Sequence, residues 1–210
     1  MRIAALSDMH GRLVDVPDCD ICIIGGDVCP VRDHNLSFQR DWLRDVFNPW
    51  LKKIPAKHVV GVAGNHDLIF DHGTPPKLNW TYLQDSLVEI DGIRIYGTPY
   101  QAKFGWWPFM RTEWELERLW RDLPACDIIV SHGPPFGAGD EVDRQHTGMK
   151  ALAVKLQELS VPVCICGHIH EHYGVNRLGN TVVRSVSVVD ENYALKRTPM
   201  VFEFEKAVEA

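Results

Sequence analysis

The sequence contains no long apolar run. No stretch approaches the roughly 18 consecutive apolar residues of a membrane-spanning helix. The apolar run near the N-terminus, residues 3–6, is shorter than the core of a secretory signal peptide. Linkers rich in proline, glycine or serine, internal repeats and low-complexity tracts are also absent. We therefore expect residues 1–210 to form a single domain with no membrane segment.

Basic residues do not predominate. The chain has 22 Lys and Arg residues against 28 Asp and Glu residues, which gives a formal net charge of -6. Proteins that hold duplex nucleic acid need a basic stripe, so we expect no such partner. The acidic balance is compatible with a small anionic substrate, because bound metal ions can make an acidic site locally positive.

The six cysteines do not form the pattern of a structural zinc site. Cys19 and Cys22 have CxxC spacing, but a second CxxC is missing. Cys22, Cys164 and Cys166 lie inside apolar runs, where cysteine behaves as a small hydrophobic residue. We infer a reducing, cytoplasmic setting and no structural zinc.

The apolar pattern predicts an α/β chain. Short continuous apolar runs are typical of strands buried on both faces, and they occupy residues 3–6, 21–24, 59–62, 128–130 and 163–166. Helical periodicity lies between them, in residues 38–51, 113–121 and 149–159. Pro49 is expected to break or restart the first of these helices.

A second pattern predicts antiparallel strands. Asp91-Gly92 stands between alternating apolar residues of segment 87–96 and predicts a hairpin turn. Further strands are predicted at residues 181–184 and 201–204. The combined pattern favours two packed mixed sheets with helices outside.

Each of the five buried strands is followed by residue types that bind metals. The segments read Asp8-Met9-His10, Gly25-Gly26-Asp27, Gly64-Asn65-His66-Asp67, Ser131-His132-Gly133-Pro134-Pro135 and Gly167-His168-Ile169-His170. The carboxyl ends of parallel strands meet at one edge of a sheet, so these loops can converge. Carboxylates and imidazoles suit manganese, iron, zinc or nickel. One such motif is weak evidence, but five together predict a metal site.

The series DMH, GGD, GNHD, SHGPP and GHIH resembles the calcineurin-like metallophosphoesterase superfamily, over the span from Asp8 to His170. Residues 97–101, GTPYQ, with the later SHGPP and GHIHEHYG, look most like its small MPPED-type branch. The resemblance implies a four-layer α/β/β/α sandwich of two mixed sheets with flanking helices. It also implies two divalent ions between the sheets and phosphodiesterase or phosphomonoesterase activity.

The resemblance implies a role for each motif residue. One ion would be held by Asp8, His10 and His170, the other by Asn65, His132 and His168, and both by Asp27. A hydroxide that bridges the ions would be the nucleophile. His66 would donate a proton to the leaving oxygen or a hydrogen bond to the transition state. We expect manganese, although iron, zinc, nickel or cobalt would suit the same donors.

One position departs from the family pattern. Many members carry an acidic residue three positions after the bridging Asp, where it pairs with the His of the GNH motif. Pro30 stands there in this chain and cannot hold the imidazole of His66. Asp67 or Asp33 could substitute, or His66 could contribute only modestly to catalysis.

Other side chains give weaker indications. Arg12, Asn65 and Tyr100 are candidates for substrate binding, although Arg12 could equally be an ordinary surface residue. Six aromatic residues lie in loop-rich segments: Trp80, Tyr82, Tyr100, Trp106, Trp107 and Phe109. They could stack a nucleobase, pack within the protein or form a subunit contact, and we favour packing. We favour a surface position for His172 over a place in the pocket. No role is assigned to His34, His58, His72 and His146.

The favoured function is hydrolysis of a small phosphodiester, such as a cyclic nucleotide or a nucleotide end. The alternative is a phosphomonoesterase, including a protein phosphatase. Protein phosphatases of the superfamily add arginines, whereas Asp67-Leu68-Ile69 follows the Asn-His pair here. A scaffold that has lost catalysis is disfavoured, because suitable residues fill all seven ligand positions.

Overall fold

The computed structural model describes residues 1–206. The first half of the chain contains β1 (Arg2–Leu6), β2 (Cys19–Gly25), α1 (Leu36–Trp42), a π-helical turn (Leu43–Phe47), α2 (Asn48–Leu51), β3 (Ala56–Val62), α3 (Leu68–His72), β4 (Thr81–Tyr82), β5 (Ser86–Ile90), β6 (Ile93–Thr98) and β7 (Gln101–Ala102). The second half contains β8 (Met110–Arg111), α4 (Glu113–Leu119), β9 (Ile128–Ser131), β10 (Glu141–Val142), β11 (Gln145–His146), α5 (Lys150–Glu158), β12 (Val163–Cys166), β13 (Tyr173–Leu178), β14 (Thr181–Val186) and β15 (Met200–Glu203). Each of the five predicted buried strands is present.

Two large mixed sheets form the centre of the fold. The first has the strand order β15-β1-β2-β3-β4, and β15 is antiparallel to its neighbour. The second has the order β13-β14-β12-β9-β6-β5, and both edge strands are antiparallel to their neighbours. Two short two-stranded sheets, β7-β8 and β10-β11, lie outside them.

Three apolar cores separate four layers. One core packs the sheets against each other, with Ile3 and Ile23 from the first and Ile128 and Ile165 from the second. A second core joins the first sheet to α1, the π-helical turn and α2. A third core joins the second sheet to α4 and α5. Because strands of both sheets are covered on each face, they read as continuous apolar runs in the sequence. The order α/β/β/α confirms the expected fold class.

The helix predicted at residues 38–51 is one continuous segment with a π-helical turn inside it. The amide of Asn48 donates to the carbonyl of Leu43, five residues earlier. Pro49, which has no amide hydrogen, begins the last turn instead of ending the helix. The wider turn buries Leu43 and Phe47 against the first sheet.

The remaining predicted elements are present with small shifts in their bounds. Helix α4 begins at a capping box, in which the Thr112 side chain and the Glu115 carboxylate bond to each other's backbone amides. The predicted hairpin joins β5 to β6, and Asp91 and Gly92 both have the positive φ that such a turn requires. Among residues 1–206, no helix has the length and apolarity needed to cross a membrane.

Candidate metal centre

The five motifs converge where parallel strands of both sheets end. Asp8 and His10 follow β1, Asp27 follows β2, and Asn65 follows β3, all buried. From the second sheet, His132 follows β9, and His168 and His170 follow β12. All seven predicted ligands are therefore at one end of the sandwich, as expected from the strand-end rule.

Within residues 1–206, three groups of side chains bring ligand atoms within 4.8 Å of one another. They are Asp8, His10 and His170; Asp8, Asp27 and His132; and His10, Asp27 and His66. The first is the ligand set expected for one ion. Asp27 belongs to both of the others, which is the central position expected of a shared ligand. His66, which we did not expect to be a ligand, faces the same centre.

The side chains expected to hold the second ion also lie together. The Nε2 atom of His132 is 3.2 Å from Asn65 Oδ1 and 3.5 Å from Asp27 Oδ2. Its Nδ1–H donates to the carbonyl of Gly25 at 2.9 Å, which leaves Nε2 free to face the centre. The rings of His132 and His168 are 5.1 Å apart between centroids.

The backbone is strained at this centre. Asp8, His10, Asp27 and His168 have φ values of 55°, 45°, 53° and 68°, a left-handed region that residues other than glycine seldom adopt. The surrounding hydrogen bonds hold these turns in place. Asp27 Oδ1 accepts the amide of His66 at 2.7 Å, and the Asp8 carboxylate accepts the amide of His168 at 3.1 Å. Strain that is held in this way is typical of a functional site.

Glycines beside the ligands allow the loops to approach closely. A Cβ atom at Gly64 would overlap the carboxylate of Asp27 and the ring of His132. A Cβ atom at Gly167 would overlap the side chains of Ser7 and Asp8. These two motif glycines are therefore required because the site has no space for a side chain.

The titratable groups at the centre shift one another's pKa values. Burial opposes ionisation of Asp8, but its imidazole neighbours, with His170 first, lower its pKa to about 2. Burial likewise opposes ionisation of Asp27, and the charge and hydrogen bond of His132 hold its pKa well below the usual range. Burial lowers the pKa of His10 to about 4, and burial with the nearby His132 lowers that of His168 to about 3. The site thus contains two buried, ionised carboxylates beside the neutral imidazoles of His10 and His168.

His66 has a partner that the sequence analysis did not assign. Its Nδ1 atom lies 3.1 Å from Nε2 of His34, and Trp107 contacts both rings, with centroid distances of 4.8 Å to His66 and 5.3 Å to His34. Pro30 is buried and is close to Gly11. No spacing rule marks His34, because it lies in a loop seven residues after Asp27.

The two acidic substitutes that we considered are engaged elsewhere. The carboxylate of Asp67 accepts the backbone amides of Val28, Cys29 and Gly64 at 2.8–3.2 Å. Asp33 accepts the amide of Asn35 at 2.8 Å. Of the alternatives left open for the missing acidic partner, neither carboxylate forms a hydrogen bond with His66 among the described residues, and the side chain beside Nδ1 of His66 is that of His34.

A buried glutamine also holds the His66 loop and was missed. Gln39 is fully buried, its Nε2 donates to the His66 carbonyl at 2.7 Å, and its Oε1 accepts the Ile69 amide at 3.0 Å. These bonds tie helix α1 to the loop after β3. In the sequence, Gln39 looks like any polar residue of an amphipathic helix, so its contact with the His66 loop could not be predicted.

A cavity of about 290 Å³ opens onto the candidate centre. Its walls include the motif residues Asp27, Asn65, His66, His168 and His170, with Phe104, Trp107, Glu171, Glu191 and Tyr193. The ring of Tyr193 lies 4.8 Å from that of His10 and 5.0 Å from that of His170. Tyr193 and Glu191 could not be expected here from the sequence, because no motif marks their loop.

Two candidates for substrate binding do not lie at this cavity. Tyr100 is buried in the core between the second sheet and helices α4 and α5, where the guanidinium of Arg111 lies 4.7 Å from its ring. Arg12 is exposed, and neither residue is among the described residues that line the cavity. Asn65 does line it. His172 donates to the Glu141 carbonyl at 2.7 Å and likewise does not line it.

The loop aromatics divide between packing and the site. Trp80 and Tyr82 pack beside Phe70, while Phe109 is buried in the same core as Tyr100. Trp107 lines the cavity, and Trp106 is 93% exposed. Packing is therefore the correct interpretation for Trp80, Tyr82, Tyr100 and Phe109.

Comparison with known proteins gives consistent matches. The family model described as calcineurin-like phosphoesterase matches residues 1–172. Human metallophosphoesterase domain-containing protein 1 is 32% identical over 237 residues, which cover 96% of this chain and 70% of that protein. A UPF0046 protein of Caenorhabditis elegans is 30% identical over 228 residues, covering 98% of this chain and 76% of the relative.

Solved structures share the fold at low identity. A protein from Thermus thermophilus aligns with a TM-score of 0.55 and 14% identity, over 88% of each chain. At this identity the likeness supports the fold alone.

Proposed function

The chain belongs to the calcineurin-like phosphoesterase family, whose members are metal-dependent phosphoesterases, and we propose that it hydrolyses small phosphodiesters such as cyclic nucleotides or nucleotide ends. The observation that supports this most strongly is the buried convergence of Asp8 and Asp27 with imidazoles from both sheets. No core-packing role accounts for two ionised, strained aspartates at one point.

The residues present fit divalent cations. The Nε2 atoms of His10 and His170 face each other at 3.1 Å, with Asp27 and Asp8 oxygens 3.8 and 3.7 Å from them, respectively. Burial would lower the pKa of His132, yet the Asp27 carboxylate raises it to about 9. The protein therefore attracts positive charge to the Nε2 atom that points at Asp27, and a bound divalent cation would supply such charge.

We assign the ligands accordingly. Asp8, His10 and His170 would hold one ion, Asn65, His132 and His168 would hold the second, and Asp27 would serve both. We propose manganese as the working metal, with iron, zinc, nickel or cobalt as alternatives, because the donor set is nitrogen and oxygen without thiolate. When bound, the two ions supply Lewis acidity that activates water and polarises the phosphoryl group.

The chain's own residues orient the substrate and handle the proton. His66 lines the cavity beside Asn65 and is placed to donate a proton to the leaving oxygen. Partial burial and the neighbouring His66 lower the pKa of His34, which favours a neutral ring that can share one proton with His66. His34 thus acts as a positioning residue, and Gln39 fixes the backbone of the same loop.

The charge of the cavity favours a diester over a monoester. Among the described residues that line it, none is Lys or Arg, whereas Glu171 and Glu191 are present. A monoester dianion needs more positive charge than a diester monoanion, and this wall supplies none beyond that of the ions. We also propose a reducing, cytoplasmic setting, because the six cysteines within residues 1–206 are unpaired.

The test is a ratio of rates. Chelator-stripped protein is reloaded with Mn²⁺, and kcat/KM is measured at one pH for bis(p-nitrophenyl) phosphate and p-nitrophenyl phosphate. We expect a ratio above one, and Asp27→Ala prepared in parallel controls for contaminating phosphatases. A ratio well below one assigns a monoesterase instead. If the protein binds metal but turns over neither ester, it is a scaffold that has lost catalysis.

A further inference from the structure

A second cavity of about 540 Å³ adjoins the first, which is about 290 Å³. The two cavities share Phe104 and His168 in their walls. The Phe104 ring lies 5.5 Å from the His168 imidazole and is 64% exposed. A molecule held at the candidate metal centre can therefore extend past Phe104 into the larger cavity.

The walls of this second cavity are mainly apolar. Ala102, Phe104, Pro134, Val142 and Ile169 supply carbon surface. The charged ammonium of Lys103 belongs to the same wall and lies 4.6 Å from the ring of Trp106. A cavity of this size and composition is typical of a site for a small organic group.

The two short sheets that lie outside the central sandwich build these walls. Strand β7 supplies Ala102, and β10 supplies Val142. The β10-β11 hairpin is fixed by the buried carboxylate of Asp140, which accepts the amides of Gly137 and Gly148 at 3.0 Å each. The hydrogen bonds of Asp140 thus fix the hairpin that forms this side of the cavity.

We propose that this cavity binds an apolar, aromatic organic group of the phosphodiester, namely the ester group that is retained when the other leaves. The inference rests on the proposed function, since it places the phosphorus at the candidate metal centre. An acyclic diester, such as a nucleotide end, carries two separate ester groups on phosphorus, and two connected cavities give each its own space. Phe104 offers a ring face on which a planar group can stack.

The test compares two diesters that differ only in the retained group: phenyl p-nitrophenyl phosphate and methyl p-nitrophenyl phosphate. Wild-type protein is expected to favour the phenyl diester by roughly tenfold or more in kcat/KM, as burial of an aryl group in place of a methyl predicts. Val142→Trp, which fills the cavity, is expected to reduce this preference by at least about fivefold.

A matched control and a second cavity variant test whether the change in preference comes from the cavity. Val175→Trp makes the same change on an exposed strand position away from the cavity and should keep the wild-type preference. Phe104→Ala changes an exposed side chain, so folding is safe, and it should reduce the preference as well. Equal preferences in wild-type, Val142→Trp and Phe104→Ala protein would overturn the proposal.

A binding measurement separates this inference from the proposed function. Diphenyl phosphate and dimethyl phosphate are titrated by calorimetry into Mn²⁺-loaded protein, which requires no turnover. Tighter binding of diphenyl phosphate that Val142→Trp abolishes supports the cavity even if neither diester is hydrolysed, a result that would refute the proposed function alone. Equal binding of the two phosphates, or a preference that Val142→Trp leaves intact, refutes the cavity assignment whatever the activity.

Discussion

At the scale of single residues, His34 is the main addition that the structure makes to the site. It lies where its Nε2 atom is 3.1 Å from Nδ1 of His66, and Trp107 packs against both rings. A histidine can share a proton with its neighbour in either tautomer, whereas an acidic partner would fix the proton on the imidazole. A histidine partner and an acidic partner therefore differ in how they set the proton position and the orientation of the His66 ring.

We predict that His34→Ala lowers kcat while the metal content stays unchanged. His66→Ala should cost about 10²–10⁴-fold as the loss of a proton donor, and His34→Ala less, because it acts only through His66. The loss should grow as the leaving group becomes poorer, and His34→Asn should restore part of it.

The readout is the slope of log kcat against leaving-group pKa for a series of aryl diesters. His58→Ala, on an exposed part of β3, is the matched control and should give the wild-type slope. If His34→Ala gives the wild-type slope, the proposal that His34 positions His66 is wrong.

Asp85 gives a prediction about pH that is separate from the candidate centre. It is half-buried and accepts hydrogen bonds from Tyr96 and Thr98 at 3.2 and 3.0 Å, yet burial raises its pKa. A carboxyl with a raised folded-state pKa favours folding below the unfolded pKa, and this contribution is lost as pH rises through the folded pKa. Asn at this position can accept the same bonds without a charge.

We therefore expect Asp85→Asn to gain stability relative to wild type as pH rises from about 4 to 7. The measurement is urea unfolding of both proteins at several pH values. The difference in the free energy of unfolding should move steadily in favour of the Asn variant over that range. A difference that is independent of pH, or that moves in favour of wild type, would contradict the raised pKa.

At the scale of elements, the strands and the site were predictable for one physical reason. Strands buried between layers must be apolar throughout, and their ends are where polar residues can converge. The strand-end positions of Asp8, Asp27 and His132 could therefore be predicted from the sequence. The π-helical turn, Gln39 and Tyr193 could not, because each depends on contacts between segments distant in sequence.

Motif glycines and turn glycines should behave differently when substituted. A Cβ at Gly64 would overlap Asp27 and His132, whereas nothing lies within 4 Å of a Cβ at Gly92, whose φ is +81°. We expect Gly64→Ala to lower both metal affinity and stability. Gly92→Ala should cost only about 1 kcal/mol of stability through backbone strain and leave metal affinity unchanged. Titration calorimetry with Mn²⁺ and urea unfolding check both, and unchanged metal affinity in Gly64→Ala would contradict the close approach.

At the scale of the whole molecule, the centre joins the two sheets at the cost of burying like charges. Asp8 and Asp27 carry negative charge at positions with almost no exposure. Each is connected to a different strand of the first sheet, while His132, His168 and His170 come from the second sheet. Ions bound between them would hold both sheets together at this end.

We therefore predict that metal removal lowers the melting temperature. A ligand that binds only the folded state adds about 2.7 kcal/mol at one hundred times its Kd, which corresponds to roughly 5–10 °C for a chain of this length. The measurement is thermal unfolding with chelator and with Mn²⁺, together with elemental analysis, which should give two ions per chain. Asp27→Ala should lose most of the shift, because we assign Asp27 to both ions, whereas Asp20→Ala, at the half-buried start of β2, should keep it. Active protein with no more than one ion per chain would refute the dimetal assignment.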